Sequence, residues 1–159
     1  MKIIIFGTKL ISEQVVKNLE IYDDEVTVVG YPDKFYNDFD KKSAEIISGN
    51  LLDDEFLSSL KLESYDYSLI LEDDDFLNFV LSKMCKKYGA KNIITKVNRY
   101  DDINFIIKNK ESFGIDYIIN EDLEASKYIV KMVEEDIGFK SDIFAGGKVL
   151  LSSIKAQYA

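Results

Sequence analysis

The chain has 159 residues, 47% of them hydrophobic and 31% charged, with a formal net charge of −9. That is the balance of one soluble globular domain, and it leaves no basic footprint for nucleic acid or for an anionic lipid surface. The absence of histidine and the single cysteine, Cys85, exclude Ser-His-Asp and Cys-His catalysis, the usual zinc sites and an internal disulfide framework.

No apolar run approaches the ~20 residues that span a bilayer. One lysine and four apolar residues precede Gly7, too few for a secretory leader, so the expected compartment is the cytoplasm. Short β-branched runs recur along the chain at Ile3–Phe6, Val26–Val29, Glu45–Ser48, Tyr67–Leu71, Asn92–Val97 and Asp116–Ile119. Most are continuous rather than alternating, which is the pattern of strands buried on both faces of a parallel sheet.

Helices are predicted between them. Leu10–Glu20 places Ile11, Val15 and Leu19 on one stripe. Shorter, more polar helices are expected at Asp33–Lys42, beginning near Pro32, and at Asp53–Leu60. Asp75–Tyr88 carries Phe76, Val80, Met84 and Tyr88, with Lys86 and Lys87 in its last turn and Gly89 as the stop. Tyr100–Phe113 carries Ile103, Ile106 and Ile107 and ends at Gly114. Asp122–Glu135 carries Leu123, Ile129, Met132 and Val133. The alternation predicts an α/β, Rossmann-like, doubly wound parallel sheet of six strands, order 3-2-1-4-5-6, over residues 1–137. Residues 138–159 differ: Ser141–Phe144, a Gly146-Gly147 turn and Lys148–Ile154 read as a short β extension.

In such a sheet, ligands bind beyond the carboxyl ends of the strands, where the strand order reverses. The first turn there is Gly7-Thr8-Lys9-Leu10-Ile11-Ser12. A dinucleotide fingerprint would put glycine at 7, 9 and 12, and only Gly7 is present. The helix N-terminus still offers free amides and a positive dipole end to an anion. Lys9 either blocks a phosphate or aims its ammonium at it. The position that would offer a carboxylate to a ribose is Gly30, followed by Tyr31, which is an exposed loop residue or a stacking partner for a base. The run Glu72-Asp73-Asp74-Asp75 could suggest a divalent cation, but it suits the start of a helix, where an aspartate caps. Asp53-Asp54 reads the same way. There is no phosphate loop of the ATPase kind and no Tyr-x-x-x-Lys pair, and the first strand ends without the carboxylates of a receiver domain. The lone arginine, Arg99, reflects composition rather than a site.

Taken together, "MKIIIFG", "VTVVG", "SGNLLDDEFL", "LEDDDFLNFVLSKMCKKYGAKNIITKVN", "FGIDYIINEDLEASKYIV" and "FAGGKVLL" resemble the nucleotide-binding N-terminal (RCK or KTN) domain of the Trk/Ktr potassium-uptake regulatory proteins. The resemblance implies a Rossmann fold that senses NAD(H) or ATP/ADP, catalyses nothing, pairs into a homodimer or larger ring, and gates a membrane potassium-translocating subunit from the inner face of the cell membrane. By correspondence it implies a ligand site at Gly7, Thr8, Lys9, Leu10, Ile11, Gly30, Tyr31, Gly49, Asn50 and Glu72, with Asn98 and Asp122 on the same rim. Glu72 stands where the family commonly has threonine. It further implies that 138–159 opens a second domain the chain does not complete. The departures at positions 9, 12, 30 and 72 fall on the ligand site, so the expected site is degenerate, weakened or lost. An NAD(P)-dependent oxidoreductase and a structural dimerisation module without ligand are the alternative readings.

Overall fold

In the computed structural model, residues 1–22, 24–32, 44–136, 139–144 and 149–154 are described. The predicted Asp33–Lys42 helix and the Gly146-Gly147 turn lie outside them. The chain divides into two compact units, Met1–Asn120 and Glu121–Ala159.

The first unit is built on six parallel strands: β1 (Lys2–Gly7), β2 (Glu25–Gly30), β3 (Glu45–Ser48), β4 (Tyr67–Leu71), β5 (Asn92–Lys96) and β6 (Tyr117–Ile119). Their order is β3-β2-β1-β4-β5-β6, the arrangement expected from the sequence. Its described α-helices are α1 (Lys9–Leu19), α2 (Asp54–Ser59), α3 (Asp75–Lys87) and α4 (Tyr100–Asn109). The continuous apolar strands are continuous because both faces are covered. On one face Ile3, Ile5, Val26, Val28 and Leu71 pack with Val16 of α1. On the other, Ile4, Phe6, Val29, Ile70 and Ile93 pack with Leu57 of α2 and with Leu81 and Cys85 of α3. A third cluster joins Val97 and Ile115 to Ile103 and Ile106 of α4, with Phe79 and Phe113 against it. The second unit comprises α5 (Glu121–Asp136) and an antiparallel pair, β7 (Phe139–Phe144) and β8 (Val149–Ile154).

Helix faces depart from the periodicity. Phe76, placed on the buried stripe of α3 by its spacing, is 75% exposed. The buried face is Asn78, Leu81, Ser82 and Cys85 instead. Two of those four are polar, and they are held by hydrogen bonds that an apolar period does not register. Ser82 Oγ and Thr95 Oγ1 of β5 lie 2.8 Å apart. On α1 the buried pair is Ser12 and Val16, with Ile11, Val15 and Leu19 flanking it. Ile107 of α4 is exposed while Ile103 and Ile106 are buried. Helix α4 also ends at Asn109 rather than Phe113, and successive turns carry the chain to Gly114, whose φ of +71° only glycine adopts without strain.

Candidate functional site

The parallel register places the strand ends in one row. Gly7 pairs with Leu71, Gly30 with Ser48, and Lys96 with Ile119. One step beyond the Phe6–Val29 pair, Gly7 neighbours Gly30; one step beyond the Ile70–Thr95 pair, Leu71 neighbours Lys96. The carboxyl edge therefore reads Ser48, Gly30, Gly7, Leu71, Lys96, Ile119 across the sheet. The strand order reverses at β1, so the turn after Gly7 sits at the switch point.

That turn is tight. A Cβ on Gly7 would stand 3.1 Å from Leu71 Cβ and 3.2 Å from Ser12 Oγ, so any side chain there would push its neighbours aside by a few tenths of an ångström. Thr8 is the N-cap residue of α1, in extended conformation, and its hydroxyl makes no capping bond. The first turn of α1 carries no acidic side chain, so its positive end is not neutralised from within the helix. Ser12 N–H donates to the Thr8 carbonyl (3.1 Å), and Ser12 Oγ is buried without a partner. Lys9 is the first residue of the helix. Leu10 is 69% exposed, and Ile11 packs against the core.

On the β2–β3 side, the Gly30 carbonyl accepts from Gly49 N–H (3.0 Å). Gly49 lies against the Phe56 ring, where a Cβ would fall 2.3 Å from Cε2. Asn50 Oδ1 accepts from Leu52 N–H (3.0 Å) and so shapes its own turn. Tyr31 is half-buried against the main core cluster, a packing role rather than a freely exposed one.

On the β4–β6 side, Glu72 is buried, and its backbone is gripped by Asn78. Asn78 Oδ1 accepts from Glu72 N–H (3.0 Å), and Nδ2 donates to the carbonyls of Glu72 (2.9 Å) and Lys96 (3.0 Å). Asn98 donates through Nδ2 to the Asp73 carbonyl (3.0 Å) and to Asp75 Oδ1 (2.7 Å). Asn120 Nδ2 donates to the Val97 carbonyl (2.7 Å). The capping reading of the acidic runs holds: Asp74 Oδ1 accepts from Leu77 N–H (2.8 Å) and Asp53 Oδ1 from Phe56 N–H (2.7 Å). Asp75 does something else, accepting from the backbone amides of Asn98 (2.7 Å) and Arg99 (3.0 Å) and tying the loop after β5 to the start of α3. Among the described residues, no group of three or more acidic or cysteine side chains is placed to hold a metal ion.

The first unit thus brings together Gly7, Thr8, Lys9, Leu10, Ile11, Gly30, Tyr31, Gly49, Asn50, Glu72 and Asn98 along one edge. Asp122 lies in the first turn of α5, in the second unit. Sequence reasoning missed Asn78, Asn120 and Lys96. The signal available was their position: each stands at a strand end or one turn into the next helix, where a buried polar residue ties backbone. A cleft of about 530 Å³ opens at the β4–β5 end of this edge, between the starts of α3 and α4, with Asn98 and Asp75 as well as Phe76, Phe79, Phe105 and Arg99 among its walls.

Comparison with known proteins adds the following. The family model described as the TrkA-N domain matches residues 3–121. The Trk system potassium uptake protein TrkA homolog of Archaeoglobus fulgidus is 24% identical over 111 residues, 70% of this chain and 26% of that protein. The chain therefore spans about a quarter of the length of the curated relative it matches. Among solved structures, the NAD(P)-binding domain of an exopolyphosphatase-related protein from Archaeoglobus fulgidus superposes with a TM-score of 0.71 at 16% identity, covering 84% of this chain and 97% of that one. The Shewanella denitrificans Kef CTD in AMP-bound form superposes with a TM-score of 0.66 at 11% identity, covering 87% of this chain and 82% of that one. At these identities the structural likeness is one of fold.

Proposed function

The chain belongs to the TrkA-N domain family, and from that premise we propose that it is a regulatory nucleotide-sensing domain of a potassium-uptake system. The carrying observation is the N-terminus of α1 at the switch point of the sheet, one residue after Gly7, with no side-chain cap from Thr8 and no acidic side chain in its first turn. The ligand is NAD(H) or ATP/ADP, laid along the edge from Gly49 and Asn50 past Gly30 and Tyr31 to Gly7–Ile11, with Glu72 and Asn98 toward its other end. It acts by preferring one arrangement of the assembly over another, and the domain catalyses nothing. The partner is a membrane potassium-translocating subunit, which holds this cytoplasmic domain at the inner face of the membrane. No described helix is long and apolar enough to cross a membrane itself. The nucleotide-sensing part is the first unit, Met1–Asn120.

Assembly is a homodimer or larger ring. Of the aromatic side chains on and beside α3 and α4, Phe79 and Tyr88 are taken up by the chain's own core. Phe76 and Phe105 remain 75% and 59% exposed on α3 and α4.

Isothermal titration with NAD, NADH, ATP and ADP tests the reading; failure of all four to bind refutes it. Binding of NADH should be weak, because Gly30 has no carboxylate for the ribose. The loss of such a charge-assisted bond costs about 1.5–3 kcal/mol, one to two decades in affinity. Sub-micromolar NADH binding would overturn the degenerate-site reading. Lys9→Gly separates the roles of that lysine: a block predicts tighter binding, a clamp predicts weaker binding with a flatter salt dependence.

A further inference from the structure

We propose that the Ser12 hydroxyl is a phosphate-contacting group of this site, donating to the diphosphate that NAD(H), ATP and ADP have in common; this rests on the nucleotide reading above. Ser12 stands where a dinucleotide fingerprint would have its third glycine, and it is fully buried. Its Oγ has no hydrogen-bond partner. A helical serine ordinarily escapes that state by donating back to the carbonyl three or four residues earlier. The other described α-helical serines do so: Ser58 to Glu55 (2.8 Å), Ser59 to Phe56 (2.6 Å), Ser82 to Asn78 (2.7 Å) and Ser126 to Leu123 (2.8 Å). Among them Ser12 is the exception, although the Thr8 carbonyl stands four residues back and accepts from its backbone amide.

The hydroxyl is turned toward the strand-to-helix turn instead. A helical side chain leans toward the N-terminus of its helix, and Ser12 Oγ lies 3.2 Å from where a Cβ on Gly7 would be. Next to it is the first turn of α1, whose amides have no intrahelical acceptor and whose cap residue, Thr8, contributes no side-chain bond. A phosphate seated on those amides stands about one helical turn from Ser12. Turning about its Cα–Cβ bond brings the hydroxyl to that phosphate, directly or across one water. A buried hydroxyl without a partner is costly, and donation to an anion relieves the cost. The free chain therefore carries a penalty that the bound chain does not, the kind of differential interaction that sensing requires. The serine at position 12 then supports the ligand and is not simply a lost glycine.

Calorimetric titration of NAD, NADH, ATP and ADP into the full chain and its Ser12→Ala and Ser12→Gly variants, with melting curves of each chain without ligand, tests this. Both variants should bind every nucleotide that the unaltered chain binds, but roughly ten-fold or more weakly. The salt dependence should keep its slope, because the lost group is uncharged. Without ligand, Ser12→Ala should melt a few degrees above the unaltered chain, since the orphaned hydroxyl is gone and alanine is a smaller residue and a better helix former. Ser12→Gly should melt below Ser12→Ala, because glycine costs backbone entropy in a helix. Equal losses of affinity in two variants of unequal stability separate contact with the ligand from a place in the packing. Unchanged affinity in both variants overturns the inference while the nucleotide reading stands. Tighter binding by Ser12→Gly, as a restored fingerprint glycine would give, does the same. If the unaltered chain binds none of the four, the nucleotide reading itself falls, and this contact with it.

Discussion

Replacing Asn78 should remove more stability than any apolar truncation of comparable size on α3. The residue is fully buried, and its amide makes three hydrogen bonds: one accepted from Glu72 N–H, and two donated, to the carbonyls of Glu72 and Lys96. Asn78→Ala strips those three backbone groups of the amide that ties them at the ends of β4 and β5. Each buried group left so costs about 1–3 kcal/mol, and water entering the vacated space recovers part of it, so the expected loss is about 3–5 kcal/mol. That is a large share of the roughly 5–15 kcal/mol available to a domain. In urea, with a slope near 2 kcal/mol/M, the midpoint should fall by roughly 2 M. Asn78→Asp keeps the acceptor for Glu72 N–H but turns a carboxylate oxygen toward two carbonyls. At neutral pH it should be at least as unstable as the alanine variant. Its deficit should shrink as acid protonates the carboxyl and restores one donor. A midpoint shift below about 0.5 M for Asn78→Ala would refute this account, as would an aspartate variant indifferent to pH.

Gly114→Ala forces a side chain into a φ of +71° and brings Cβ to 2.6 Å from Lys86 Cβ, so a loss of at least ~1–2 kcal/mol is expected by thermal or urea unfolding. The Cys85 thiol, pushed up by burial from an ordinary 9.0 to about 12, should resist a thiol reagent at pH 8 in the folded chain and react once in guanidinium. Because the folded value lies above the unfolded one, its stabilising contribution is complete below about pH 9 and is lost as pH rises from there toward 12; Cys85→Ala should abolish that part of the alkaline decline. The double change Phe76→Ser, Phe105→Ser should weaken self-association ten-fold or more by sedimentation, without lowering the melting temperature, since both rings are exposed; an unchanged association constant would remove α3 and α4 from the interface.

The strands were legible because burial on both faces writes itself as uninterrupted apolar runs: Ile3–Phe6 and Tyr67–Leu71 need no partner in view to be recognised. Caps were legible for a local reason, since Asp53 and Asp74 reach amides three residues on. The face of α3 was not. Its period points to Phe76, yet the helix is oriented by Asn78 and Ser82, whose partners lie on β4 and β5 and are distant in sequence. The candidate site was half legible. Gly7 announces the turn and Gly30 the missing carboxylate, because both are defined by position after a strand. Lys96 was hidden inside a strand run, where nothing distinguishes it from an edge lysine until neighbouring strands supply its row. Asp75 looked like a second cap and is a clasp on a loop more than twenty residues away.

The asparagines along the β4–β6 edge have a consequence for measurement. Asn78, Asn98 and Asn120 fasten three strand ends through uncharged amide donors, partnered by carbonyls and by the Asp75 carboxylate. Amide bonds of this kind are little screened by electrolyte, so added salt leaves that half of the frame standing. A change in ligand affinity with ionic strength then reports the ligand's own charges meeting the protein, and the slope counts them without correction for a scaffold that loosens at the same time.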